Sequence, residues 1–247
     1  MGYVTEQLQE FDRTTLMDFY RRMRRAVSRY SKKPLITGGN IYSSSNVRTG
    51  IRHIDGGTRG IGQIYAPHGY DAVVDSDCYE NFSRENVERI FGDKRSSQKK
   101  LELPLIVGEW GAFPSKDFTN ELIRHMNGIL EKYLWSSTYW EYHPGMEEDE
   151  NYSALSRAYP METAGEIETY HYDGIRDGDK KRCFEMSFRA AVGESKVYCP
   201  FYPVSMKESG QHGECSVGYR IEKISETACY VYVKTDGIGD VTVHICE

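Results

Sequence analysis

Leu103-Pro104-Leu105-Ile106-Val107-Gly108-Glu109-Trp110-Gly111 is the stretch whose reading decides the fold class. An apolar run over Leu103–Glu109, too short for a helix and without strict alternation, predicts a strand covered on both faces, as in a parallel sheet. The next segment, Phe118–Leu134, carries Leu122, Met126, Ile129 and Tyr133 at helical spacing. The same alternation extends in both directions. Upstream lie a predicted helix over Arg84–Phe91, strands over Ile61–Pro67 and Leu35–Ile41, and a helix over Thr14–Tyr30 with Phe19, Met23, Val27 and Tyr30 as its apolar face. Downstream, Ser137–Tyr142 reads as a fourth strand. Residues 1–160 are therefore expected to form an α/β layer with about four parallel strands.

After Ser156-Arg157-Ala158-Tyr159-Pro160 the period changes to two. Cys183–Ala190, Lys196–Phe201, Tyr219–Ile224, Cys229–Lys234 and Asp240–Cys246 alternate, with Phe184, Met186 and Phe188 on one side of the first and Cys183, Glu185 and Ser187 on the other. Half-buried antiparallel strands read this way, so residues 161–247 are expected to form a small β-sandwich.

At 247 residues the chain suits one large domain or two small ones. Its 39% apolar, 28% charged and 13% aromatic content excludes a mainly disordered chain. A formal charge of -6 argues against a phosphate backbone as partner, so Arg21, Arg22, Arg24, Arg25 and Arg29 read as a solvated helix face. No window approaches the roughly 18 apolar residues of a membrane span, and residues 1–10 do not have the layout of a secretion signal. Localisation stays unassigned. Six cysteines show no CxxC pairing, which excludes zinc ribbons and thioredoxin-type motifs and leaves any disulfide connectivity open. His53, His125, His171, His212 and His244 lack metal-ligand spacing, and Glu147–Glu150 reads as a solvated acidic loop.

Ligands of parallel α/β sheets gather beyond the carboxyl ends of the strands. Three ends here are rich in chemistry: Tyr65-Ala66-Pro67-His68-Gly69-Tyr70-Asp71, Val107-Gly108-Glu109-Trp110-Gly111 and Tyr139-Trp140-Glu141-Tyr142-His143-Pro144. Sugar cleavage through an oxocarbenium-like transition state needs a carboxylate on one ring face, a proton donor at the leaving oxygen and flat apolar surfaces against the sugar. Glu109 is the candidate carboxylate, Tyr70 a hydroxyl that orients it, and His68 a partner for substrate or for Glu109. Trp140 is the candidate platform, with Tyr142, Trp110 and Asn40 as further sugar contacts. Taken singly, each has a plainer role in capping or packing; their joint placement at consecutive strand ends is what core packing does not require. A nucleotide-binding open sheet is disfavoured because no GxGxxG follows a strand, and Gly56-Gly57-Thr58-Arg59-Gly60 precedes one instead of a helix.

With Ile106-Val107-Gly108-Glu109-Trp110-Gly111-Ala112-Phe113, Thr138-Tyr139-Trp140-Glu141-Tyr142 and Arg157-Ala158-Tyr159-Pro160 added to the His68–Tyr70 segment, the sequence resembles glycoside hydrolase family 5. Within that family it is most similar to the endoglycoceramidase-like branch, over roughly residues 13–165. The resemblance implies the C-terminal half of an eight-stranded β/α barrel and retaining hydrolysis of β-glycosides without a metal or organic cofactor. It also implies Glu109 as nucleophile, His68 and Tyr70 as the sixth-strand pair, Trp140 as the eighth-strand sugar platform, and a carbohydrate or glycolipid substrate.

One departure stands out. The family places its acid/base in an Asn-Glu pair upstream of the helix that is expected here to begin near Thr14, and no such pair precedes that helix. Asn120-Glu121, the one Asn-Glu in the chain, falls at the start of a helix, where capping is the natural role. Four strands also cannot close a barrel of eight. The expectation is a chain that lacks the N-terminal half of the catalytic domain and is inactive alone, with a non-catalytic carbohydrate-binding protein as the alternative.

Overall fold

The computed structural model describes residues 2–44, 46–54, 62–76, 78–174, 181–212 and 215–247. The chain packs as two compact units, Met1–Pro114 with Trp135–Met146, and Ser115–Leu134 with Glu147–Glu247.

In the first unit α1 (Gly2–Phe11) runs through a π-helical turn, Asp12–Leu16, into α2 (Met17–Val27). The helix thus begins well before Thr14. Its π turn carries Asp12, fully buried, whose carboxylate accepts from the Asn40 N–H at 2.8 Å, the Thr49 hydroxyl at 3.0 Å and the Gly50 N–H at 2.9 Å. Such bulges aim one side chain out of the regular ladder. The apolar face read from the sequence is not inward: Phe19 is 52% exposed, Met23 and Tyr30 are exposed too, and Met17 is the residue that enters the core. Nor is the basic face wholly solvated, because Arg24 donates to the Gly62 carbonyl at 2.6 Å.

The strands of this unit are β1 (Leu35–Thr37), β2 (Gln63–Tyr65), β3 (His68–Gly69), β4 (Ile106–Gly111) and β5 (Ser136–Trp140). β1 pairs with β2, and β3 with β4 and β4 with β5, all in parallel. β2 and β3 are two pieces of one strand broken at Ala66-Pro67. Ala66 donates to the Thr37 carbonyl at 2.8 Å and Gly108 to the Pro67 carbonyl at 2.9 Å, so hydrogen bonds bridge the break on both sides. The expected run of four parallel segments is present. Between β3 and β4, α3 (Arg84–Leu101) extends ten residues past the expected end at Phe91. The extension escapes the apolar pattern because its inward positions are polar: Lys94 is buried, and Gln98 accepts from the Trp135 indole N–H at 2.9 Å.

The second unit holds α4 (Thr119–Tyr133), α5 (Tyr152–Leu155) and eight antiparallel strands. These are β6 (Tyr159–Glu162), β7 (Gly165–Asp173), β8 (Cys183–Ala190), β9 (Gly193–Cys199), β10 (Ser205–His212), β11 (Val217–Lys223), β12 (Cys229–Thr235) and β13 (Gly239–Cys246). They form two four-stranded sheets, ordered β10-β13-β8-β7 and β11-β12-β9-β6. Alternate residues of both, Phe184, Met186, Phe188, Val243 and Ile245 from one and Val197, Val231 and Val233 from the other, close a single core. A disulfide joins Cys183 to Cys246, register partners on β8 and β13.

Three of these strands are absent from the sequence reading. β7 carries a bulge between Ile167 and Thr169, so its core residues fall at 167, 170 and 172 and break the period of two. β10 is a polar edge strand. β6 begins inside the segment read as punctuation, and it tolerates Pro160 because it is an edge.

Glu131 of α4 is a hub of this unit. Only 7% of its side chain is exposed, and it binds the Arg157 guanidinium, His171 Nδ1 at 2.7 Å and the Tyr172 N–H at 3.2 Å. Arg157 belongs to the Arg157-Ala158-Tyr159-Pro160 motif, whose work is therefore to tie α4 to the start of the sheets. Glu131→Ala leaves a nearly buried guanidinium without its counter-charge and is expected to cost about 3 kcal/mol of stability. Urea unfolding measures it, and a loss below about 1 kcal/mol would give the pair only the weight of a surface contact.

Candidate active site

His68 and Glu109 are register partners on the adjacent parallel strands β3 and β4, and Tyr70 follows β3 directly. The pairing sets them side by side. His68 Nδ1 lies 3.1 Å from Glu109 Oε2, and the Tyr70 hydroxyl donates to the same oxygen at 3.1 Å. Both contacts fall on Oε2, so Oε1 has no partner among the described residues.

The backbone around Glu109 is built for close approach. Between Val107 and Trp110 the β4–β5 register shifts, with one residue more on β4, and bulges of this kind re-aim a side chain. At Gly108 a Cβ would press within 3.2 Å of the His68 ring. Gly111 sits at φ 104°, and a Cβ there would fall 2.2 Å from the Tyr139 ring, so glycine is required. The turn beyond β4 is fixed by the Ala112 N–H donating to the Trp140 carbonyl at 2.6 Å and by the Tyr79 hydroxyl donating to the Ala112 carbonyl at 2.8 Å.

Burial, then the hydrogen bond to Glu109, then the charge of Glu109 and of Glu141 push the Tyr70 phenol far above its ordinary pKa. Tyr70 is accordingly a neutral donor throughout the physiological range and can hold Glu109 only as an acceptor. Glu141 is a second carboxylate near this phenol that sequence reasoning does not single out, although it stands in the quoted Trp140-Glu141-Tyr142 run.

Glu109 opens on a cavity of about 710 Å3 whose walls include Asn40, His68, Tyr70, Asp71 and the Trp140 indole. That volume suits a small-molecule ligand. One third of the Glu109 side chain and 46% of Trp140 are exposed, so a carboxylate and a flat apolar face are both reachable.

No family model matches the sequence, and no curated protein matches it. Solved structures do. Endo-glycoceramidase II from Rhodococcus sp. superposes with a TM-score of 0.70 at 16% identity, over 96% of this chain and 55% of its own. Its complex with a cellobiose-like imidazole gives 0.72 at 16% identity, with the same coverage. An endogalactoceramidase gives 0.62 at 15% identity, over 93% of this chain and 52% of its own. The chain has the endoglycoceramidase fold over about half the length of those enzymes. They are the branch that the motifs resemble.

Within this endoglycoceramidase-like fold the remaining candidates are placed differently. Trp110 is buried, with its ring edge-on to Tyr139 at 5.2 Å, and does not line the cavity. Tyr142 is 78% exposed and is also outside the walls. Asn40 is in the wall, but its amide donates to Asp12 Oδ2 at 3.0 Å, which gives it an anchoring part. Asn120 does not accept as a helix cap; its amide donates to the Asp117 carbonyl at 2.9 Å and the Glu150 carbonyl at 3.0 Å. Glu150 in turn accepts from the Asp117 N–H at 2.8 Å, so the acidic loop is partly structural. Gly56-Gly57-Thr58-Arg59-Gly60 lies outside the described residues. Among the described residues no cluster of His, Cys, Asp or Glu is arranged to hold a metal ion.

The wall segment at Ser43 is held by Lys94, which reaches its carbonyl from α3. Burial lowers the Lys94 ammonium to about 8. Between that value and the ordinary 10.5 the unfolded chain binds more protons than the folded one, so this group makes stability rise with pH. The rise across the window should approach about 3 kcal/mol. Urea midpoints from pH 7 to 10 measure it, and Lys94→Met should flatten the slope; an equal slope in the variant would remove the assignment.

Proposed function

We propose that this chain is the nucleophile-bearing part of a retaining glycoside hydrolase acting on β-glycosidic bonds of a glycolipid or β-glucan type substrate. The observation that carries the reading is the constraint on Glu109, with Oε2 held by Tyr70 and His68 and the side chain lining a cavity that Trp140 also lines. Oε1 attacks the anomeric carbon, the glycosidic bond breaks toward the leaving oxygen, and a covalent glycosyl-enzyme forms that water then hydrolyses. Tyr70 and His68 orient the carboxylate, and Trp140 packs against the sugar. Support for a covalent intermediate comes from a neighbour, Rhodococcus endo-glycoceramidase II, solved as a lactosyl-enzyme intermediate at a TM-score of 0.67 and 17% identity.

In this reading residues 1–160 are the C-terminal half of a β/α barrel and residues 161–247 its β-sandwich. A further β/α segment supplies the acid/base and the remaining strands. Two observations favour such a segment: the outer edge of β1 has no partner strand among the described residues, and α2 exposes Phe19 and Met23 beside it in sequence. The alternative, a carbohydrate-binding protein without turnover, draws on the missing Asn-Glu pair.

The two readings separate on an activated inactivator. The 247-residue chain should not turn over 4-nitrophenyl β-glucoside, whose hydrolysis still needs the rest of the site. It should nevertheless acquire a fluoroglucosyl group on Glu109 from 2,4-dinitrophenyl 2-deoxy-2-fluoro-β-glucoside, whose leaving group departs without a proton. Peptide mass spectrometry locates the adduct. No adduct at Glu109 alongside measurable glycan binding would establish the binding protein.

A further inference from the structure

A second cavity, of about 760 Å3, shares no wall residue with the first. Arg13, Arg21, Arg48, Arg52, His53 and Lys100 line it, with no carboxylate in the wall. It lies at the opposite end of the parallel strands. Gln63, the first residue of β2, accepts from the Ile54 N–H at 2.9 Å and donates to the Arg52 carbonyl at 3.1 Å, whereas Glu109 lies in the later half of β4 and Tyr70 past the end of β3.

Five permanent cations line one cleft of a protein whose formal charge is -6. Three are answered from outside the wall: Arg13 by Glu10 at 2.9 Å, Arg21 by Asp18 at 2.7 Å and Arg48 by Asp93 at 2.5 Å. Arg52 and Lys100 have no carboxylate partner among the described residues, and the paired guanidiniums keep N–H donors to spare. The nearby carboxyl end of α3 subtracts about half a charge, which leaves the cleft cationic.

The loop that carries these groups is fixed in advance. Asp12 holds Thr49 and Gly50, Gln9 donates to the Arg48 carbonyl at 3.2 Å, and the Arg52 N–H meets Met17 Sδ at 3.4 Å. Gly50 packs so tightly on α1 that a Cβ would stand 2.2 Å from the Gln9 carbonyl. His53 Nδ1 is buried without a partner among the described residues. Rigid backbone presenting several cations to one roomy cleft is the arrangement that recognises an oxyanion at low ordering cost.

We propose that this cleft binds an organic phosphate or sulfate ester, with Arg52 and Lys100 as its principal contacts. The cavity has room for the body of such a molecule as well as its anionic head. The site is independent of the glycosidase reading.

Isothermal titration of the 247-residue chain at low salt and pH 8, with 4-nitrophenyl phosphate and 4-nitrophenyl sulfate as probes, tests it. The two share one body and differ in head group and charge, so the tighter of the two names the source. Expected is saturable 1:1 binding of at least one ester, weakened about tenfold or more in Arg52→Ala/Lys100→Ala and unchanged in Glu109→Gln. Both substituted residues are exposed, and a melting curve checks that the variant folds. Failure of both esters to saturate, or a double variant that binds within tenfold of the parent chain, overturns the proposal. Loss of binding in Glu109→Gln would place the ester in the first cavity and overturn it equally.

Discussion

Glu109→Ala is expected to lower hydrolysis of aryl β-glucosides by about four orders of magnitude or more, the scale on which removing a covalent nucleophile acts. The measurement belongs in a form of the protein that includes the acid/base. The size follows from the geometry. Glu109 is held by Tyr70 and His68 through Oε2 alone, and in the proposed mechanism those two groups orient the carboxylate without attacking in its place. Removing the side chain leaves a small void at the strand end, open to the cavity. Azide should enter it and attack the anomeric carbon from the same side, releasing an α-glycosyl azide and restoring part of the rate on substrates with good leaving groups. A variant within about tenfold of the parent rate, with no azide adduct, would move the attack to another group.

Removal of the Cys183–Cys246 disulfide is the largest effect expected on stability. The bridge closes a separation of 63 residues that takes in β8 through β13. In the chain-entropy description, opening a loop of that length costs about 4 kcal/mol, because the unfolded chain regains its freedom. The two residues are paired in register on neighbouring strands, so serines can take their places without moving the backbone. Urea unfolding of Cys183→Ser/Cys246→Ser against the oxidised parent gives the difference. A change below about 1 kcal/mol would mean that the sheets hold the two ends together in the unfolded state as well.

The parallel layer is legible in the sequence because its strands are short apolar runs ending in polar clusters, and the site is legible because those clusters follow one another. His68, Tyr70, Glu109 and Trp140 can all be named as strand-end residues. Which oxygen of Glu109 is held cannot be read, since that depends on a bulge in β4 that leaves no mark beyond Gly108. Trp110 flanks Glu109 in sequence yet lies outside the cavity, because neighbours along a strand point to opposite faces, and Tyr142 lies outside it beyond the end of β5. Asp12 sits in a polar stretch, and a buried carboxylate that organises two loops has no pattern of its own. The far half of α3 is hidden for a related reason, since Lys94 and Gln98 occupy inward positions that a hydrophobic reading assigns to solvent. β7 is hidden by its bulge.

The chain between Glu109 and Trp140 makes an excursion: it leaves β4, forms α4, and returns as β5, while α4 is fastened through Glu131 to Arg157, His171 and Tyr172. The seam suggested by the change of period near residue 160 is therefore a poor place to cut. Trimming the protein there would discard His171 and Tyr172 and strip α4 of two of its three moorings. A fragment that keeps α4 in place must carry the sheets along with it.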